Sequence, residues 1–533
     1  MKKGEIYEGI VNRIDFPNKG IVTIEGREVT VKNALPGQTV RFVINKKRGG
    51  RLEGRLLEVV RRADYETEPD CPHYPECGGC LYRTVKYEDQ LRIKEDQLRR
   101  LFFSNKTGDG SLSYGPSLIF EGIKPSPAFN EYRNKMEFSF GDEYKDGPLT
   151  LGLHKRGGFY DIVNVSQCRI VDEDYRKILS AVQDHFRGTG LTFYKKMQHT
   201  GYLRHLVVRK AAGTGEILVN LVTTSRGETD DKTGDDKTGD GSVSCGEGII
   251  REDVDISGQD IEPSPVLSLS DREPSPVLSL AEVLKGLDLE GTLVGVLHTI
   301  NDSLSDVVAS DETRILYGRD YFYENLLGLK FKISPFSFFQ TNSRGAEVLY
   351  ETAREYILSR GEQDREPSPV LSDVVRPVLS TEDRSLSCDV IFDLYSGTGT
   401  IAQMISPAAG KVIGVEIVEE AVEAARENAR LNGIDNCAFI AGDVLKVIDE
   451  IEEKPDFIIL DPPRDGVHPK ALTKLLERYK GRYILYISCK PTSLVRDMEV
   501  LKDYGYKPVR MCAVDMFPGT PNIEVISLFM LQE

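Results

Sequence analysis

No stretch of this sequence offers the ~18 consecutive apolar residues that a membrane-crossing helix needs. The opening MKKGEIYEGI has two lysines, but neither an apolar run nor a small-residue cleavage site follows. No secretory leader is therefore expected, and a cytoplasmic protein is. Positive charge is short overall: 68 Lys and Arg face 84 Asp and Glu, a net of −16. That balance argues against a nucleic-acid partner only until its distribution is read. Residues 1–62 hold 14 Lys and Arg against 7 Asp and Glu, hence +7, whereas residues 226–290 hold 6 against 17, hence −11. Aromatics are missing from 226–281 and 361–387, where Ser, Pro, Asp and Gly dominate without a steady apolar period. Such segments cannot bury enough surface to offset the entropy of ordering, so both are expected to be disordered insertions. KTGD occurs twice in the first, EPSPVLSL twice, and EPSPVLS again at Glu366. These copies are too short and irregular for a solenoid.

With 533 residues and a 40% hydrophobic share, the chain has room for two to four soluble domains. Residues 1–62 alternate apolar and polar positions in short runs separated by PNKG, LPGQ and KRGGR, the pattern of a small β-barrel. Lys46, Lys47, Arg48 and Arg51 crowd one loop, a patch suited to phosphate oxygens. Residues 82–101 have helical periodicity and many charges, which predicts an exposed amphipathic helix. From Asn130 to Thr224 the runs are β-like, and the stretch from Tyr132 to Arg209 is rich in Arg, Lys and aromatics. That composition suits base stacking and phosphate contact as well as it suits a plain solvated sheet face.

Three of the nine cysteines fall within ten residues, CPHYPECGGC, at Cys71, Cys77 and Cys80; a fourth, Cys168, follows in VSQCRI. In a large cytoplasmic protein this clustering points to a metal rather than to disulfides. Four thiolates suit zinc or a [4Fe-4S] cluster. One C-x2-C knuckle with an isolated fourth ligand favours iron–sulfur, and the C-x5-C-x2-C spacing differs from the C-x3-C-x2-C of radical enzymes.

Helix and strand alternate from Arg344 onward. VIFDLYSGTGTIAQMIS is a strand, a glycine turn and a helix start, a geometry that lets a ligand meet backbone amides. Glu416 ends the next strand, 17 residues past Gly399, where a carboxylate can take both ribose hydroxyls. Asp443 ends a third strand, placed for an adenine amino group, and Asp461 ends a fourth in DFIILDPPRDG. The full G-x-G-x-x-G is absent, which counts against NAD, and Asp-Pro-Pro favours S-adenosylmethionine (SAM). Cys489 lies at the tip of the apolar run YILYIS. A thiol there, with Glu524 in a Pro-rich loop, suits carbon methylation of uracil: a thiolate adds at C6, C5 accepts a methyl, and a base removes the C5 proton. The target base must leave its stack, which suits RNA loops and single strands.

These motifs resemble the RNA uracil-C5 methyltransferases, in particular their iron–sulfur, TRAM-bearing 23S ribosomal RNA branch. The resemblance is carried by ALPGQTV, CPHYPECGGC, YRNKMEFSF, NDSLSDVV, SPFSFFQTN, DLYSGTGT, DPPRDG, YISCKP and MFPGTPNIE. It implies an α/β chain with a TRAM, oligonucleotide-fold-like barrel at 1–62. A central α+β iron–sulfur and RNA-binding domain would span 63–335, interrupted by 226–281. A C-terminal Rossmann-like class I SAM-dependent methyltransferase domain would span 336–533, interrupted by 361–387. It further implies Cys489 as nucleophile and Glu524 as base. Gln340, Tyr395, Glu416, Asp461 and Asp443 would bind SAM, and Cys71, Cys77, Cys80 and Cys168 a [4Fe-4S] cluster. The expected partner is 23S rRNA, with a tRNA loop uridine as the rival substrate and a non-catalytic RNA-binding assembly factor as the rival class. The expected protein is a monomer with no membrane partner. Lys490, Gly519, Asn522 and Ser396 depart from the common family pattern, yet remove no group the chemistry requires.

Overall fold

The computed structural model describes residues 1–48, 50–103, 118–158, 160–225, 275–304, 311–359 and 388–532. Alternation with short turns closes the first five strands, β1 (Ile6–Asp15), β2 (Lys19–Ile24), β3 (Arg27–Lys32), β4 (Thr39–Arg48) and β5 (Arg51–Arg61), into a barrel of order β1-β2-β3-β5-β4. Val22, Val29, Val31, Val40 and Phe42 fill it and are fully buried.

Helix α1 (Tyr87–Phe103) follows. It is amphipathic as expected but not merely a surface helix: Gln90, Lys94, Gln97, Leu98 and Phe102, spaced by three and four, are buried. The exposed helix expected there is thus corrected, because its polar-looking stripe carries side chains with internal partners. Strand β6 (Ile119–Lys124) then pairs in parallel with a strand some 390 positions further on.

Strands β7 (Lys135–Asp142), β8 (Leu149–His154) and β9 (Ile162–Asn164) precede helix α2 (Glu173–Phe186), whose N-cap Asp172 accepts from the Asp174 amide. After β10 (Leu203–Lys210) and β11 (Glu216–Thr223) come α3 (Ser275–Lys285), β12 (Thr292–Ile300) and β13 (Glu312–Gly318). These strands form a seven-stranded sheet of order β13-β12-β11-β10-β7-β8-β9. Part of the expected 226–281 insertion is corrected here. From Ser275 the chain is helical, because Val277, Leu280, Ala281 and Leu284 repeat at helical spacing and bury in this sheet's core. Its remainder, and 361–387, lie outside the described residues.

A hairpin of β14 (Phe322–Leu326) and β15 (Leu329–Ile333) leads to α4 (Ser343–Leu358), capped by Asn342. Then follow β16 (Cys388–Leu394), α5 (Thr400–Ile405), β17 (Ala409–Glu416), α6 (Glu419–Leu431), β18 (Cys437–Ala441) and α7 (Val444–Val447). The remainder is β19 (Phe457–Leu460), α8 (Pro469–Arg478), β20 (Tyr483–Ser488), α9 (Pro491–Asp503), β21 (Tyr506–Val514) and β22 (Glu524–Leu531). The sheet order is β18-β17-β16-β19-β20-β22-β21-β6. Strands β16 to β20 are parallel, and all but the edge strand β18 are largely buried on both faces, while β22 runs antiparallel to β20. The strand order reverses between β16 and β19, the place where such sheets open a crevice for ligands. No helix among the described residues is long and apolar enough to cross a membrane.

Candidate active site

Register places the catalytic candidates. Tyr483 pairs with Met530 and Ser488 with Val525, the last pair of the β20–β22 ladder, so Cys489 stands just past its end on the side of Glu524. Paired strands hold facing Cα atoms within about 4.5–5.5 Å. On the other side, Leu460 pairs with Leu394 and with Tyr486, which brings Asp461 beside Tyr395 and one strand from the thiol. Leu394 also pairs with Val415, so Glu416 lies next to Tyr395 on the same rim. From Glu416 to Glu524 the rim spans four strand spacings, about 19 Å.

The electrostatics agree with this crowding. Burial pushes the Cys489 thiol up to about 11, with Glu524 and Asp461 adding to the shift and Arg464 opposing it. Burial likewise pushes Glu524, only 4% exposed, well above the usual carboxylate range; Asp461 adds and Arg464 opposes. Asp461 rises to about 7 by burial, and Asp393 to about 7 by burial beside Asp461. Behind the thiol, Asp497 accepts from the Tyr486 hydroxyl at 2.6 Å and the Val467 amide at 2.9 Å, bracing β20.

The donor-side residues are also set by backbone. Gly399 caps α5 at φ +71°, and a Cβ there would meet the Phe439 ring at 2.7 Å. Tyr395 itself takes φ +69°, strain for a tyrosine, at the turn between strand and helix. Glu416 accepts from the Gly397 and Val418 amides, each at 3.0 Å, which fixes its carboxylate toward the glycine turn. Asp443 caps α7 through the Leu445 amide at 2.9 Å. Asp393 accepts from the Ala402 amide at 3.0 Å, while its other oxygen is buried without a partner among the described residues. Gln340 is anchored through its carbonyl, which accepts from Asn134 at 2.9 Å, and lies within reach of the buried Tyr350 hydroxyl.

Sequence reading missed the clasp on the loop that precedes Glu524. Lys94 is 1% exposed; its ammonium donates to Asp515 at 2.6 Å and to the Asn522 carbonyl at 3.1 Å. The Gly519 carbonyl accepts from the Leu81 and Tyr82 amides at 2.8 and 3.0 Å, and its amide donates to Gln90 at 2.9 Å. The Tyr132 hydroxyl donates to the Pro518 carbonyl at 3.0 Å. The available signal was a lysine and two glutamines on the apolar stripe of α1.

Cys71, Cys77, Cys80 and Cys168 line one cavity, together with His73 and Arg83. Arg156 braces its rim by donating to the Pro75, Cys77 and Cys80 carbonyls. Burial raises the Cys80 thiol to about 12 and the Cys168 thiol to about 11. Among the described residues, no three His, Cys, Asp or Glu side chains close on a single ion.

The fold is that of a SAM-dependent methyltransferase whose C-terminal catalytic domain is preceded by a small five-stranded barrel; a family described as a methyltransferase domain matches residues 387–516. An uncharacterized RNA methyltransferase of Clostridium tetani is 44% identical, over 99% of this chain and 98% of its own. Another, from Caldanaerobacter subterraneus, is 42% identical over 99% of each chain. This chain belongs to that family of RNA methyltransferases. Among solved structures, the Pyrococcus abyssi tRNA (uracil-54, C5)-methyltransferase bound to S-adenosyl-L-homocysteine shares the fold, with a TM-score of 0.63 and 21% identity over 98% of this chain and 100% of that one.

Proposed function

We propose that this chain methylates C5 of a uridine in 23S rRNA through a transient bond between Cys489 and C6. The observation that carries this reading is the position of Cys489 just past the last β20–β22 pair, Ser488 with Val525, where it interacts with buried Glu524 and with Asp461. Cys489, as thiolate, adds to C6, and the C5=C6 electron pair moves onto the C4 oxygen as an enolate. C5 would then take the methyl as its bond to the donor's sulfonium sulfur breaks and leaves a neutral thioether; Glu524 removes the C5 proton, and the C6–S bond breaks to return the thiolate. SAM supplies the electrophilic methyl and a sulfonium charge. Glu416 receives the ribose hydroxyls, Asp443 the adenine amino group, and Tyr395, Gln340 and Asp461 border the methionine end. Ile417, 66% exposed next to Glu416, offers an apolar surface for adenine.

Cys71, Cys77, Cys80 and Cys168 would hold a [4Fe-4S] cluster. Four thiols around one cavity match the number a [4Fe-4S] cluster takes, one cysteine sulfur on each iron. Zinc needs all four within about 2.3 Å of one centre. The cluster would cross-link the 71–80 loop to Cys168 and so steady the segment that clasps Gly519. The barrel, read as a TRAM module, would hold RNA with its basic β4–β5 hairpin.

A tRNA substrate is the second reading, favoured by the whole-chain fold likeness to a tRNA methyltransferase. Labelled SAM with 23S transcript or tRNA decides: label in 23S RNA is expected, and label confined to tRNA overturns the ribosomal assignment. A Cys489→Ala variant that still methylates, or RNA carrying 5-fluorouridine that is never trapped on Cys489, overturns the adduct. RNA binding without methyl transfer by the intact chain leaves only an assembly role.

A further inference from the structure

A second recess lies away from the catalytic rim, on the seven-stranded sheet. It is a cleft of about 380 Å3 between the ends of β7 and β8, the 160–162 segment and the hairpin 193–203. None of the proposed catalytic, donor or thiol residues lines it. Its volume falls in the range of built ligand sites and exceeds what one nucleobase fills.

Its lining joins flat rings to cations. Tyr194 carries the Arg204 guanidinium 4.3 Å from its ring centroid, and its hydroxyl meets His199 Nδ1 at 3.0 Å. Arg204 is itself fixed, donating to the Asn301 and Ser303 carbonyls at 2.6 and 2.8 Å. Tyr160 stands 62% exposed at the mouth, its ring open to a stacking partner. Lys145 and Lys195, both exposed, and Lys196 line the same cleft together with the carboxylates of Asp142, Asp146 and Asp161, so phosphates are met at the lysine side, while Phe140 and Ile162 form a buried floor. The hairpin is a rigid wall: Gly201 sits at φ +102°, where any side chain would strike the Phe193 carbonyl. Rings that stack bases, beside cations that meet phosphates, are what a single strand requires.

The cleft is linked to the reaction site by one strand. Asn134, just before β7, donates to the Thr341 and Gln340 carbonyls, while Ser139 to Asp142 at the far end line the cleft. At about 3.4 Å per residue, the two ends are about 17–27 Å apart. That is about five to eight nucleotides at the stacked rise of about 3.4 Å, and fewer for a stretched strand.

The geometry points to this cleft as a second nucleobase-binding site, which receives an unstacked base of the RNA strand several nucleotides from the reacting uridine. The inference rests on the chain acting on RNA, and not on which RNA or by which chemistry.

Full-length protein is titrated with labelled single-stranded RNAs graded from about 4 to about 16 nucleotides, and affinity is read by fluorescence anisotropy. Wild-type protein gains about tenfold in affinity at the length that spans both sites. Tyr194→Ala loses that step, as does Tyr160→Ala, whose exposed ring can be removed without unfolding the chain. Both bind the shortest RNAs as before, and both raise KM for RNA with kcat unchanged. Lys195→Glu removes the step at low salt. Variants that keep the step, or a wild type that lacks it, overturn the inference. A step without methyl transfer supports the cleft and overturns the proposed chemistry; methyl transfer without a step overturns the cleft alone.

Discussion

Replacing Lys94 by methionine tests how the catalytic loop is held. The Lys94 and Asp515 side chains are 1% and 0% exposed, and the ammonium bridges Asp515 to the Asn522 carbonyl, two residues before Glu524. Burial pulls the lysine down from its ordinary value while Asp515 opposes the shift, so the pair holds together only because each charge answers the other. Lys94→Met keeps the shape but leaves the Asp515 carboxylate buried and uncompensated. Losing one partner of such a pair costs about 3–5 kcal/mol. If that cost falls on opening of the loop, amide exchange at Gly519 and Asn522 accelerates by about 100- to 4,000-fold, at about 1.4 kcal/mol per decade. Glu524 then loses its fixed position, and single-turnover methylation falls by about 100-fold. SAM affinity holds, because the glycine turn lies on other strands. The double variant Lys94→Met/Asp515→Leu recovers most of the protection, since an apolar pair can replace a buried ion pair. Hydrogen exchange read by mass spectrometry decides: single-variant exchange close to wild type, or a double variant no better than the single, refutes the reasoning.

Gly399→Ala combines a left-handed φ with a Cβ 2.7 Å from Phe439 and 2.9 Å from Ala425, so urea unfolding shifts by roughly 2–4 kcal/mol and SAM binding weakens; an unchanged midpoint with full SAM affinity refutes it. A thiol at about 11 is mostly protonated at neutral pH and loses its proton as pH rises. In donor-free protein, alkylation of Cys489 by iodoacetamide, mapped by mass spectrometry, therefore rises by about tenfold per pH unit from about pH 7 to about pH 10, and a plateau below pH 9 overturns that shift. Stripping metal from an iron-loaded preparation with a chelator loosens the cysteine segment, so the Leu81 and Tyr82 amides exchange faster; unchanged exchange separates that site from the loop.

What the sequence made legible was much of what a local period or a short motif carries, although the helical spacing of Val277, Leu280, Ala281 and Leu284 is masked by the Ser/Pro repeats beside it. Glycines at 397 and 399 between an apolar strand and a helix marked a strand-to-helix turn, and the strand-ending polar residues marked one rim. Alternation in 1–62 marked a small β module, and the structure closes it as a barrel. Long-range pairing leaves no such trace. The register that brings Cys489 toward Glu524 joins strands on either side of α9 and β21, and no local pattern encodes it. Strand β6 joins the edge of a sheet whose other strands begin at Cys388, a partnership that its six residues cannot announce. Lys94 read as solvated because charge on a helix usually is; only Asp515, 421 positions away, makes its burial tolerable.

Burying Glu524 beside Asp461 and a thiol destabilises the fold, since each ionised form repels the next and none is well hydrated. Such a cluster persists only where the backbone around it is over-determined. The loop before Glu524 meets that condition with contacts drawn from distant parts of the chain. Lys94 and Gln90 come from α1, Leu81 and Tyr82 from the cysteine segment, Tyr132 from the start of the central sheet, and Asn342, which donates to the Met516 carbonyl at 3.0 Å, from the donor side. The loop groups they grip are mostly backbone, so the grip depends little on the side chain at 522, whereas Gly519 takes φ +78°, a conformation glycine adopts without strain. Glu524 keeps its place because its carboxylate is aimed by the β22 ladder and by carbonyls held from outside.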